Sequence, residues 1–152
     1  MICPACGGNV YSNRDCDRCG ITYGDMIGSI RHDSMRELIS KGSLNPSDEL
    51  ALANELRGSS FLVPATFIDG RLNVMVSEDE KGRIYIMLFT DRGEYDKNQM
   101  NHNPVTNPFN EVLDLLEERF EGFVININSE AFVVGRKFLD KHFPRNPHES
   151  FT

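Results

Sequence analysis

Two Cys-x-x-Cys pairs near the start of the chain constrain it more than any other feature. Cys3-Pro4-Ala5-Cys6 and Cys16-Asp17-Arg18-Cys19 hold all four cysteines of the sequence. A Cys-x-x-Cys turn aims two sulfurs at one point, and two such turns complete a tetrahedron of soft ligands, the geometry Zn²⁺ prefers. Each pair is followed by glycine, Gly7 and Gly20, where the sharp bend calls for a residue that tolerates positive φ. The residues between, 7–15, suffice for a short hairpin. The pattern predicts a zinc ribbon in which Cys3, Cys6, Cys16 and Cys19 hold one structural Zn²⁺. Iron would satisfy the same four ligands, and zinc is the favoured ion. Four protein ligands close the shell and leave no open position for catalysis. The start Met1-Ile2-Cys3 leaves no room for a signal peptide, so reduced thiols in the cytoplasm are expected rather than disulfides. Thioredoxin-like chemistry would use a single Cys-x-x-Cys beside a βαβ pattern, which is absent.

With 152 residues, the chain has room for one ordinary domain beside the ribbon. The ribbon holds too few apolar side chains to fold alone, so the metal must supply most of its stability. A net charge of −7 counts against nucleic-acid binding, which needs clustered Lys and Arg. Arg14 and Arg18 alternate with Asp15 and Asp17, and four thiolates around a divalent cation add further negative charge. No apolar run approaches the roughly 20 residues of a membrane span.

Along the chain the expected organisation is a ribbon (1–22), a helical linker (23–45), an α+β domain (46–145) and a tail (146–152) expected to be disordered. In the linker, Met35, Leu38 and Ile39 share one face of a short helix that Lys41-Gly42 ends, and Ile27 and Ile30 extend that face backward. Asn45-Pro46-Ser47-Asp48 announces a helix that stops near Gly58. Asn107-Pro108 repeats the signal. Phe109, Val112, Leu113, Leu116 and Phe120 then fall on one helical face up to Gly122. Strands are predicted over 61–68, placed on an edge or at a bulge because Pro64 cannot donate to a ladder, and over 72–77 after an Asp69-Gly70 hairpin turn. A third strand over 84–89 is apolar on both faces, hence central. A fourth covers 123–127. Ser129 is expected to cap a last helix over 129–143, and one helical turn is expected around Tyr95. The class is α+β: an N-terminal ribbon, then a mostly antiparallel four-stranded sheet covered by helices.

Three phrases, Phe61-Leu62-Val63-Pro64-Ala65, Phe89-Thr90-Asp91 and Gly122-Phe123-Val124-Ile125-Asn126, resemble the SseB-like domain, named for an enhanced-serine-sensitivity protein. The resemblance covers about residues 46–142. The chain departs at Ile127, where the family usually has proline, and at Asn128, often glycine there. Asn128 can still take the left-handed conformation a turn requires. The resemblance implies a non-enzymatic domain, with the ribbon as a lineage-specific addition.

Thr90 and Asp91 end the third predicted strand, and Asn126, Asn128 and Ser129 follow the fourth. If these strands are parallel neighbours, both groups meet at one end of the sheet, where ligands often bind in α/β folds. Turn and cap chemistry explains the same residues more simply. No phosphate loop, nucleophile elbow or His-x-x-x-His pair is present. His32, His102, His142 and His148 are scattered, and the carboxylates Glu78, Asp79 and Glu80 sit on a turn. The sequence therefore favours a non-catalytic protein-binding or scaffold protein, with Tyr11 as an anchor either for a partner or for the linker helix. A small-ligand sensor or enzyme using the strand-end residues is the alternative.

Overall fold

The strand apolar on both faces is the centre of the molecule. A computed structural model describes residues 3, 6–8, 14–23, 32–98 and 104–144, apart from the side chains of Phe67 and Leu72. Its elements begin with helices α1 (Asp33–Ser40) and α2 (Pro46–Arg57), then strands β1 (Ser60–Val63), β2 (Ala65–Ile68), β3 (Arg71–Val74), β4 (Val76–Glu78) and β5 (Ile84–Leu88). Helix α3 (Arg92–Asp96), β6 (Val105–Pro108), α4 (Phe109–Leu113), β7 (Phe120–Ile125), β8 (Phe132–Gly135) and α5 (Arg136–His142) follow. The expectations for Tyr11, Ile27, Ile30, His102, His148 and the tail lie outside the described residues. Among the described residues, no helix is long and apolar enough to cross a membrane.

The class is α+β. The four-stranded sheet runs β4-β5-β7-β8 and is mixed: β5 and β7 are parallel, and the two outer pairs are antiparallel. Two antiparallel ribbons, β1-β6 and β2-β3, stand beside it, and a bridge between Leu62 and Phe89 ties β1 to the end of β5. Pro64 splits the predicted 61–68 strand into β1 and β2, as a residue without an N–H should. Its carbonyl still accepts from the Met75 N–H at 2.8 Å. Asp69 and Gly70 turn the β2-β3 hairpin with φ of 53° and 76°, the two left-handed residues of a I′ turn.

Several local signals hold. Asn45 Oδ1 caps α2 by accepting from the Asp48 N–H, with Pro46 at its first turn and Gly58 at its end. Gly42, just past α1, takes φ 75°. Tyr95 sits in the expected short helix, capped by Asp91.

The strand expected over 72–77 breaks at Met75 into β3 and β4, which belong to different sheets, and three helical expectations are corrected. Residues 129–143 are not one helix: a turn at 127–130 leads into β8, and only Arg136–His142 is helical. Pairing with β7 decides this, since Phe132 to Gly135 lie opposite Ile125 to Gly122. The helix begun at Asn107-Pro108 is likewise short. Asn107 pairs with Phe61 inside β6, and α4 closes into tight i→i−3 bonds through Asp114, Leu115 and Leu116. Phe120 belongs to β7, opposite Ile84. Gly122 is no helix stop but a strand residue at φ 153°, where a Cβ would meet the Val134 carbonyl oxygen at 2.0 Å.

Side chains alternate across the sheet, as strand geometry requires. Ile86, Leu88, Phe123, Ile125 and Val134 face a core closed by Met35, Ile39, Leu52, Leu56 and Val112 from the helices. Tyr85, Met87 and Val124 face the other way, into a second buried cluster. Helix α1, which falls in the expected linker, thus contributes to the main core.

Candidate functional site

The four cysteine sulfurs converge. Cys3 Sγ lies 3.6 Å from Cys19 Sγ, Cys6 Sγ lies 3.7 Å from Cys16 Sγ, and all four fall within 4.8 Å of one another. A tetrahedron with metal–sulfur bonds of about 2.3 Å has edges of about 3.8 Å. The donor set and its spacing therefore fit a metal ion, which Cys3, Cys6, Cys16 and Cys19 would hold. The backbone that aims them is built twice over. Gly7 N–H donates to Cys3 O and Gly20 N–H to Cys16 O, each at 2.9 Å. Cys3 N–H donates to Gly8 O at 2.8 Å, and Cys16 N–H to Ile21 O at 3.0 Å. Gly7 and Gly20 take φ of 75° and 81°, the left-handed bend expected of each.

Cys3 and Cys16 are buried, Cys6 is half-buried and Cys19 is exposed. The backbone N–H of Cys19, helped by that of Arg18, pulls the Cys16 thiol down to about 7. The Ile21 N–H acts the same way on Cys19, but desolvation and the three neighbouring thiols outweigh it and push that thiol up to about 12. Four thiols in so small a space share their protons unequally. A divalent cation takes the place of those protons.

The residues predicted at the strand ends also converge, because β5 and β7 are parallel neighbours. Asn126, buried at φ 54°, ends β7. Its Oδ1 accepts from the Thr90 N–H at 3.0 Å, and its Nδ2 donates to Thr90 Oγ1 at 2.9 Å and Glu130 Oε2 at 3.2 Å. Thr90 Oγ1 donates onward to Asp91 Oδ2 at 3.1 Å. The positive φ that Asn128 could have taken falls instead on Asn126 and Ala131. Asn128 reaches Asn98, its Nδ2 donating to Oδ1 at 2.8 Å. Ser129, expected as a helix cap, instead donates from Oγ to Glu94 Oε2 and accepts from Lys97 Nζ, both at 2.7 Å.

Four further residues complete the cluster: Arg36 and Lys97 have no local signature, and that of Glu130 points to a helix start instead. Arg36, from α1, donates to Asp91 Oδ2 at 3.2 Å, Glu94 Oε1 at 2.7 Å and Glu130 Oε1 at 2.9 Å. Lys97 Nζ adds a contact to Glu94 Oε1 at 2.8 Å. Only Glu94 was findable from sequence: Asp91-Arg92-Gly93-Glu94 has capping-box spacing, and Asp91 Oδ1 accepts from the Glu94 N–H at 3.0 Å. For Glu94 burial is the largest influence and opposes ionisation, yet Lys97, Ser129 and Arg36 together hold its carboxyl below the usual range. Burial likewise opposes ionisation of Glu130, and Arg36 and Asn126 overcome it.

The other polar candidates serve local structure. Asp79 accepts from the backbone N–H groups of Lys81 and Arg83, from Arg83 Nε and from the Tyr85 hydroxyl, closing the turn between β4 and β5. His32 Nε2 lies 2.6 Å from Ser60 O, and His142 Nε2 lies 2.7 Å from Glu49 Oε1. Two clefts lie elsewhere, one of about 300 Å³ among Leu44, Glu49, Phe132 and Phe138, and one of about 460 Å³ among Ala51, Asn54, Glu55 and Ser59.

No curated protein and no solved structure matches this chain. The SseB protein N-terminal domain family matches residues 36–140, which takes in Arg36, every strand among the described residues, and both halves of the strand-end cluster, and begins ten residues before the stretch that resembled it. The chain therefore belongs to the SseB protein N-terminal domain family.

Proposed function

We propose that this chain is a non-catalytic protein-binding or scaffold member of the SseB family, with a structural Zn²⁺ held by Cys3, Cys6, Cys16 and Cys19. One observation carries the proposal. The polar groups best placed to serve a ligand are occupied by one another: Arg36 is met by three carboxylates, and Thr90 and Asn126 bond each other. Groups so engaged hold a fold together and are not free to move protons or grip a substrate. The soft, tetrahedral sulfur set suits zinc, and a shell closed by four cysteines keeps the ion structural.

A small-ligand sensor is the second reading, favoured by the meeting of Thr90, Asp91 and Asn126 at the C-terminal ends of two parallel strands. Two measurements separate the readings. Elemental analysis of protein purified without added metal should give one zinc per chain. Capture of the tagged full chain from its native cells should then yield a protein partner at fixed stoichiometry. A small molecule that co-purifies with the wild type and is lost in Asn126→Ala would overturn the scaffold assignment in favour of the sensor.

A further inference from the structure

The sheet is covered on two faces, and the two covers differ in origin. Helices within the family domain close over one face. On the other face, Tyr85, Met87 and Val124 pack with Leu62 of β1, with Phe89 just past β5 and with Tyr95 of α3, all within residues 36–140. The groups packed onto them, Cys3, Cys16 and Tyr23, with Cys6 and Ile21 at the margin, precede the family domain. Tyr23 fastens this cover. Its hydroxyl donates to Pro104 O at 2.7 Å, and its N–H donates to Oδ1 of Asp15, next to Cys16, at 2.7 Å.

We propose that metal binding by the four cysteines and closure of the N-terminal segment over this second face are one coupled equilibrium, so that the segment is a metal-held cover on an apolar face of the SseB domain. The proposal rests on reading the cysteines as a metal site, and goes beyond it. Residues 14–23 are mostly exposed, with Cys16 and Tyr23 alone among them buried. So short a segment cannot order itself; it draws stability from the metal and from the sheet. Coupling of this kind is reciprocal. Residues that touch only the sheet must alter metal affinity, and metal must control exposure of Tyr85 and Met87.

The full chain tests both halves. Zn²⁺ affinity is measured by chelator competition for the wild type, Tyr23→Phe and Val124→Ala. Tyr23→Phe keeps the ring and removes the hydroxyl that bonds Pro104 O and, at 3.5 Å, Thr106 Oγ1, so affinity should fall about threefold to tenfold. Val124→Ala, on the covered face, should weaken binding in the same direction. Hydroxyl-radical footprinting should show Tyr85 and Met87 becoming reactive when zinc is withdrawn, while Leu88 and Phe123 on the opposite face stay protected. Unchanged zinc affinity in both variants, or unchanged labelling of Met87, would overturn the coupling and leave the structural zinc site standing. A wild-type chain that binds no zinc would overturn the cover and the metal site together.

Discussion

Replacing Arg36 by methionine removes a charge shared by three carboxylates from three segments. Asp91 lies at the end of β5, Glu94 in α3 and Glu130 in the turn before β8. The carboxylate side chains are only 12%, 3% and 10% exposed, against 33% for Arg36. Removing one partner of a buried ion pair costs about 3–5 kcal/mol. Solvent reaches a third of Arg36, and Lys97 still neutralises Glu94, so a loss of about 2–3 kcal/mol is expected at neutral pH. In a chain of this size that lowers Tm by roughly 5–10 °C. The sign with pH follows from the carboxyls. Glu94 and Glu130 are held below the ordinary 4.5, so their stabilising contribution is full above that value and is lost as pH falls through their folded pKa values. Without Arg36, burial works on Glu130 with Asn126 and the residue's own backbone N–H left to oppose it, and its carboxyl should move up. The deficit of the variant is therefore greatest near neutrality and narrows as acid protonates the cluster. Urea denaturation followed by circular dichroism, from neutral pH to below the carboxylate range, measures it. A loss under about 0.5 kcal/mol at neutral pH, within the range of an ordinary surface change, or a deficit that does not vary with pH, would refute the reasoning.

Gly122→Ala should cost more than about 3 kcal/mol or abolish folding, since the new Cβ meets strand backbone that cannot rotate away; a wild-type Tm would contradict it. Gly20→Ala has open space around the added carbon, so backbone strain of about 1–2 kcal/mol should appear as weaker zinc binding with the sheet still folded; metal titration and circular dichroism read the two effects separately. Asn45→Ala removes the cap on the Asp48 N–H and should cost about 1 kcal/mol in a urea titration, with Asn45→Ser restoring most of it.

What was legible in the sequence was what short stretches decide for themselves. The knuckles, their two glycines, the Asn45 cap, the Asp69-Gly70 turn and the two-faced character of β5 all follow from residues a few positions apart. Where a distant partner decides, local signals mislead. Ser129-Glu130 reads as a helix start, but Ser129 is engaged by Glu94 and Lys97, and Glu130 by Arg36, ninety-four positions away. Phe132-Val133-Val134 fits a helical period and also a strand, and the vacant edge of β7 settles it. Asn107 carries a capping signature, but in β6 its amide donates to Glu111 Oε2. Of the candidate site, the cysteines were readable in full. The strand-end cluster was readable only as a meeting place, because Arg36 comes from a helix whose apolar face was its only visible feature.

The parallel pair at the centre of the sheet explains why that cluster is polar. Antiparallel strands joined by a tight turn have their register set by the turn, whereas parallel neighbours have no such device. β5 and β7 meet with an irregularity at one end, where Ile84 pairs with Phe120 but Tyr85 pairs with Gly122. At the other end the pairing continues past Ile125: Asn126 N–H donates to Leu88 O at 2.9 Å, and its side chain then accepts the Thr90 N–H. An apolar residue at position 126 could fill the space but could not receive that backbone donor. Burying the donor unpaired would cost about 1–3 kcal/mol, a penalty that falls on any register slipped along the strand. The buried amide at the strand end thus supplies the specificity that a hairpin turn supplies elsewhere, and the ion pairs of Arg36 seat α1 over the end so defined.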